Sequence, residues 1–207
     1  MILLTPSIKT YNEAVAFHGH SCPGLALGYR AAAYAMDALR AGRSDDEELV
    51  CIVENDACGV DAVQVVAGCS VGKGNLILQD FGKHVYTFID RSYNRAIRIA
   101  QRPEPVIQRI DPVASALREK VSGGTATPAE QNEFHERQEG VIEKILAMPV
   151  EDLFSIREVT PEIPVKAKIF ASVPCAQCGE MVAEHRARVR NGKFVCIPCA
   201  GTYGRGW

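Results

Sequence analysis

Two cysteine pairs of identical spacing close the 207-residue chain, Cys175-x-x-Cys178 and Cys196-x-x-Cys199, with seventeen residues between them. Zinc prefers four soft ligands at tetrahedral corners, and two such knuckles each supply two thiolates with little chain strain. Gly179 follows the first pair, where a knuckle must turn, and Pro198 sits inside the second. Asn191-Gly192 lies between the pairs and is a strong hairpin signal, so two short strands are expected there. The segment holds too few apolar residues to build its own core, and the metal would have to supply the folding energy. A redox C-x-x-C needs one pair and leaves the second unexplained. His185 lies between the pairs, but four thiolates leave it unnecessary, and it is expected on the solvated surface. Cys175, Cys178, Cys196 and Cys199 are therefore read as a structural zinc site.

Charge and length set the remaining bounds. Lys and Arg number 23 against 25 Asp and Glu, a formal net charge of -2, which gives no bulk attraction to nucleic acid or an anionic membrane. No apolar run approaches the roughly 20 residues that span a bilayer. The first residues, MILLTPSIKTYNEA, lack the positive start and long apolar stretch of a signal peptide. A cytoplasmic protein is expected, with no membrane partner. In a reducing compartment, the eight cysteines point to metal or thiol chemistry rather than disulfides.

The chain reads as a large domain over residues 1–160, a linker over 161–169 and a zinc finger over 170–207. A first helix is expected from Ser7 to Phe17, capped by Ser7 or Thr5, and a second from Gly24 to Ala41, ended by Gly42. In the second, Gly28, Ala32 and Ala35 predict close packing. LVCIVEN from Leu49 reads as a buried strand, GVDAVQVVAG from Gly59 as a short third helix, and LILQD and HVYTFID as strands. Helices follow over 111–121 and from Pro128 to Ala147, the latter with Phe134, Val141, Ile145 and Leu146 on its apolar side. FSIREV reads as a strand and TPEIPVKAKIF as an extended arm. Helices and strands mix without strict βαβ alternation, so the fold class is α+β: a mixed helix and sheet core domain plus a small finger domain. The long helix and the arm give a route to a second copy of the chain, and a homodimer is expected.

FHGHSCPG places His18, His20 and Cys22 within five residues, with Gly19 freeing the backbone between the imidazoles. Cys22 is expected at a helix N-cap with Pro23 at the first helical position. Helix-dipole and amide donors there should favour the thiolate, either as a metal ligand or as a nucleophile. These three residues form a candidate catalytic and second metal site with one open position. The rival reading is structural: alternate residues of an extended chain diverge, and the two imidazoles would face apart. Cys58 and Cys69 frame the third helix and are expected to join the cleft, but at about 1.5 Å per residue the helix holds them too far apart to share one ion. Asp56 is a candidate to orient a histidine, and Asp61 a first-turn acid of the helix. Cys51 reads as core packing. GCSVGKGN fails the phosphate-loop pattern, but its amides with Lys73 form a candidate anion-binding turn.

FHGHSCPGLALGYRAA, ENDACGVDAVQ, GCSVGKGNL and DFGK, in this order, resemble the E-subunit family of formylmethanofuran dehydrogenase. PCAQCGEMV and GKFVCIPC resemble the four-cysteine zinc finger of the DksA/TraR type. The resemblance covers roughly residues 10 to 160 and 170 to 205, most of the chain. It implies an accessory protein of a molybdenum or tungsten oxidoreductase rather than its catalytic component. Two other functions stand beside it. One is a free-standing zinc- or thiol-dependent enzyme using the same cleft. The other is a regulator touching nucleic acid or protein through a finger made basic by Arg186, Arg188, Arg190, Lys193 and Arg205. The finger lacks an obvious base-reading helix, so nucleic acid is not the expected partner.

Overall fold

A computed structural model describes residues 8–160 and 162–202. The chain divides into two compact units, Met1–Lys166 and Ala167–Trp207. The architecture is α+β. No helix among the described residues is long and apolar enough to cross a membrane.

In the larger unit the first helix, α1 (Tyr11–His18), starts later than the sequence suggests. Residues 8–10 are not helical, and Thr10 is the cap, in a capping box with Glu13. The Ser7 and Thr5 alternatives lie outside the described residues. Helix α2 (Pro23–Leu39) begins at Cys22 and ends at Arg40, which takes the left-handed conformation before Gly42 is reached. Then come β1 (Leu49–Val53), α3 (Gly59–Ala67), β2 (Leu76–Leu78), β3 (Val85–Asp90) and β4 (Arg95–Gln101). Four helices follow: α4 (Val106–Ile110), α5 (Pro112–Ser122), α6 (Pro128–Ala147) and α7 (Val150–Leu153); β5 (Phe154–Val159) completes the sheet. Helix α6 has the bounds read from sequence. Helix α4 had no counterpart there: it is only five residues long and ends at Asp111, whose side chain then caps α5.

The sheet order is β2-β1-β3-β4-β5, with β1 and β2 parallel and the remaining neighbours antiparallel. Strand side chains alternate between faces. One face sends Leu49, Cys51, Val53, Phe88, Ile97 and Ile99 into the main core. The helices answer with the alanine stripe of α2, Val63 and Val66 of α3, and Val141 and Ile145 of α6. A smaller apolar cluster of Val50, Ile89 and Ala96 lies on the opposite face.

Helices α2 and α3 approach backbone to backbone. A Cβ on Gly28 would stand 2.2 Å from the carbonyl oxygen of Gly59, and one on Gly59 would stand 2.3 Å from the Tyr86 hydroxyl. Only glycine permits this contact at both positions. Its consequence is that the starts of the two helices, at Cys22 and Cys58, lie together.

Among the described residues the smaller unit contains two hairpins, a 3-10 turn (Glu184–Arg186) and one short α-helix. Strands β6 (Ser172–Pro174) and β7 (Met181–Ala183) pair around the first cysteine knuckle. Strands β8 (Arg188–Arg190) and β9 (Lys193–Val195) pair across Asn191-Gly192. Both turn residues have positive φ, 50° and 75°, as a two-residue primed turn requires. Cys196 caps the short helix α8 (Ile197–Ala200), which contains Cys199.

Candidate metal centres

The finger centre is built by its turns. Gly179, at φ 79°, lets its own amide reach the Cys175 carbonyl at 2.9 Å, while the Cys175 amide reaches Glu180 at 2.8 Å. This folds the first knuckle. Strand β9 delivers Cys196, whose amide donates to Cys175 Sγ at 3.3 Å. The ligand atoms of Cys175, Cys178, Cys196 and Cys199 all lie within 4.8 Å of one another. Converging backbone amides lower the Cys175 thiol to about 6. Neighbouring thiols push Cys199 up to about 12. Four sulfurs so close cannot all ionise without a cation among them, and zinc supplies that charge. His185 takes no part: its ring stacks on Phe170 with centroids 3.9 Å apart.

The core centre begins where α1 ends. His18 is the last residue of α1, and Gly19 caps it in the left-handed region, at φ 92°, with its amide bonded to Val15. That reversal decides between convergence and divergence of the imidazoles. The chain folds back, and the rings of His18 and His20 lie 4.5 Å apart between centroids. Ser21 is held by the Tyr11 hydroxyl at 2.8 Å, and Tyr11 packs edge-on against Tyr29 of α2. Cys22 then caps α2, its sulfur accepting from the Leu25 amide at 3.3 Å. One ligand atom from each of His18, His20 and Cys22 lies within 4.8 Å of the other two. With metal–nitrogen bonds of about 2.0 Å and metal–sulfur bonds of about 2.3 Å, tetrahedral ligands stand about 3.3–3.8 Å apart, so a small inward movement joins all three to one ion.

The state of His18 is informative. Its Nδ1 lies 2.7 Å from Asp61 Oδ2, while its Nε2 is buried and has no hydrogen-bond partner. Asp61 is fixed in turn by Gln64, which donates to the other carboxylate oxygen at 3.0 Å. A carboxylate on one ring nitrogen sets the tautomer and leaves the other nitrogen basic, as in metal-binding histidines. Asp56, the acid expected in this role, is exposed and lies before α3, whereas Asp61 lies in its first turn.

Cys22 departs from the expectation of a favoured thiolate. Burial raises its thiol, and the Cys58 thiol beside it raises it further, against the lowering by the Leu25 amide. The sulfurs of Cys22 and Cys58 flank Gly24, each 3.9 Å from where its Cβ would stand. The helix N-terminus alone does not ionise Cys22; a cation among these residues would.

Cys69, expected in the cleft, is not there, and Lys73, expected in an anion-binding turn, is engaged by backbone. Cys69 is fully buried in the main core and donates to the Leu49 carbonyl, with burial pushing its thiol up to about 12. The α3 helix carries it away from Cys58. Lys73 lines a separate depression, and its ammonium is bound to the backbone carbonyls of Ser44 and Asp45. It ties the turn to the segment at Ser44 and Asp45. Cys51 is fully buried in the sheet.

The cleft itself has a volume of about 310 Å³. His20, Cys22 and Cys58 line it, together with Arg118 of α5 and Phe134 and Val141 of α6. His84 and Gln138 also line it. Sequence reasoning missed His84, Arg118, Gln138 and the role of Asp61. Only Asp61 carried a local signal: it follows Cys58 by three residues, so the two share a helix face.

Over residues 17–155 the chain matches the family described as FmdE, molybdenum formylmethanofuran dehydrogenase operon. Over residues 168–204 it matches the prokaryotic DksA/TraR C4-type zinc finger. A relative from Archaeoglobus fulgidus, described as a probable S-adenosyl-L-methionine-binding protein, is 34% identical over 206 residues. That match covers 94% of this chain but 54% of the relative, so the chain spans about half the relative's length. A crystal structure of a tungsten formylmethanofuran dehydrogenase FmdE-like protein from Syntrophus aciditrophicus has the same fold, with a TM-score of 0.60 at 21% identity, covering 96% of this chain and 97% of that one. With a four-cysteine zinc finger following its core domain, this metal-binding chain belongs to the FmdE family.

Proposed function

We propose that the core domain holds a second metal ion, zinc or a similar soft divalent cation, on His18, His20 and Cys22, and presents one open coordination position to the cleft. Two observations carry this reading: His18, His20 and Cys22 each bring a ligand atom within 4.8 Å of the others, and His18 Nε2 is buried without a partner while Nδ1 is held by Asp61. An unpaired buried nitrogen is costly unless something binds it. Two imidazoles and a thiolate suit zinc, and three protein ligands leave the fourth position for an exogenous group. Bound there, the ion supplies Lewis acidity; Asp61 orients His18, and the apolar wall excludes water.

In this reading the chain is an accessory protein serving a molybdenum or tungsten oxidoreductase, as the family match suggests, and its cleft binds a small ligand. The description of the Archaeoglobus relative, a probable S-adenosyl-L-methionine-binding protein, is in keeping with a ligand-binding role. A free-standing enzyme is the second reading, favoured by His84, an imidazole with no side-chain partner among the described residues on the cleft wall.

Metal analysis of the purified full chain tests the site. Two ions per chain are expected, falling to one in His18→Ala with the finger ion retained. One ion in both proteins would refute it. Co-migration of the chain with a molybdenum or tungsten formylmethanofuran dehydrogenase on gel filtration tests the accessory role, and turnover by the isolated chain would favour the enzyme.

A further inference from the structure

The cleft lining is of two chemical kinds. It includes Cys22 and His20 of the proposed metal site, and it includes Arg118. The side chain of Arg118, an exposed residue of α5, makes no hydrogen bond or ion pair with any described residue, and no Asp or Glu is among the residues lining the cleft. Gln138 beside it is likewise without a side-chain partner among the described residues. Ile107, Phe134 and Val141 supply apolar surface to the same cavity. The volume, about 310 Å³, is at the small end of the range for ligand sites.

These features define a ligand. A guanidinium fork with no internal counter-charge selects a planar, bidentate anion, and a carboxylate fits it best. One cation and no acid in the lining match a monoanion better than a phosphate dianion. A soft metal with an open position selects a sulfur donor. The apolar side chains accommodate a short hydrocarbon spacer. We infer that the cleft takes a small mercaptocarboxylate, its sulfur on the metal and its carboxylate on Arg118. On binding, the ligand's thiol gives its proton to solvent as the sulfur–metal bond forms; no electrons are exchanged, and the carboxylate stays ionised against Arg118. This inference rests on the metal site proposed above.

The test uses the full chain loaded with cobalt(II), whose sulfur-to-metal charge-transfer band reports an added thiolate. The finger ion already has four thiolates and does not respond. Mercaptopropionate is titrated against mercaptoethanol, which lacks the carboxylate, and propionate, which lacks the thiol. Mercaptopropionate is expected to bind more tightly than either fragment, by on the order of tenfold or more for a charge-assisted hydrogen-bonded pair. Arg118→Gln should remove its advantage over mercaptoethanol while leaving metal content unchanged, and Arg118→Lys should restore part of it. Equal binding of the two thiols, or full affinity in Arg118→Gln, would overturn the inference. If the core ion is absent from the loaded protein, the metal site itself has failed; if the ion is present and the probes are not distinguished, only the ligand assignment has failed.

Discussion

The two nitrogens of His18 stand in different surroundings, one on a carboxylate and one buried without a hydrogen-bond partner. Asp61→Asn should keep the shape and lose the carboxylate charge facing Nδ1. The expected result is a loss of about 10- to 100-fold in affinity for the core ion. Chelator competition on the full chain would measure this, with the finger ion as an internal reference; an unchanged affinity would make Asp61 a spectator. The same assay has a predicted pH slope. Burial and Cys58 hold the metal-free Cys22 thiol above its ordinary range, so it is protonated at neutral pH and must lose its proton to bind. Lower pH therefore favours the metal-free form, and this residue alone should weaken binding about tenfold per pH unit. A flat profile would argue against a thiolate ligand. The donor types of this site were legible in FHGHSCPG because they are adjacent in sequence. Asp61 was not, because its partner lies 43 residues away and only the α1–α3 packing joins them.

At the scale of elements, the site depends on the crossing of α2 and α3. Gly28→Ala would drive a methyl group into the Gly59 backbone, which has no rotamer with which to yield. Overpacking of this kind costs about 1–3 kcal/mol. Denaturant unfolding should show the loss of stability, and metal competition should show a weaker core ion as Cys22 moves. Full stability in the variant would mean the helices separate freely. The small residues of α2 announced a close neighbour but could not name Gly59 as that neighbour, since the contact is long-range. Helix α6 was legible to the residue because Thr127, Pro128 and Glu130 form a capping box with proline in the first turn. Helix α4 was not: five residues after Pro105 are too few to show a period. The late start of α1 has the same origin, a cap at Thr10 that competed with equally suitable cap residues upstream.

At the scale of the molecule, each of the two compact units gathers its own set of candidate metal ligands. Cys178→Ser should release the finger zinc and unfold residues 170–202, because those few apolar residues cannot hold the unit without metal. The core should keep its melting transition, read by circular dichroism; loss of both transitions together would mean the core depends on the finger. We propose a homodimer for the intact chain, since twofold assembly is the commonest arrangement and Val165 and Ile169 of the arm are left exposed. Light scattering at micromolar concentration would return twice the chain mass, and a monomer would count against it. The most direct test of the second metal site is an anomalous difference map at the zinc edge from crystals of the full chain grown with zinc. The account predicts two peaks per chain. One is bound by Cys175, Cys178, Cys196 and Cys199; the other lies about 2.0–2.1 Å from the nitrogens of His18 and His20 and about 2.3 Å from the sulfur of Cys22. A finger peak alone, with nothing among those three residues, would contradict it.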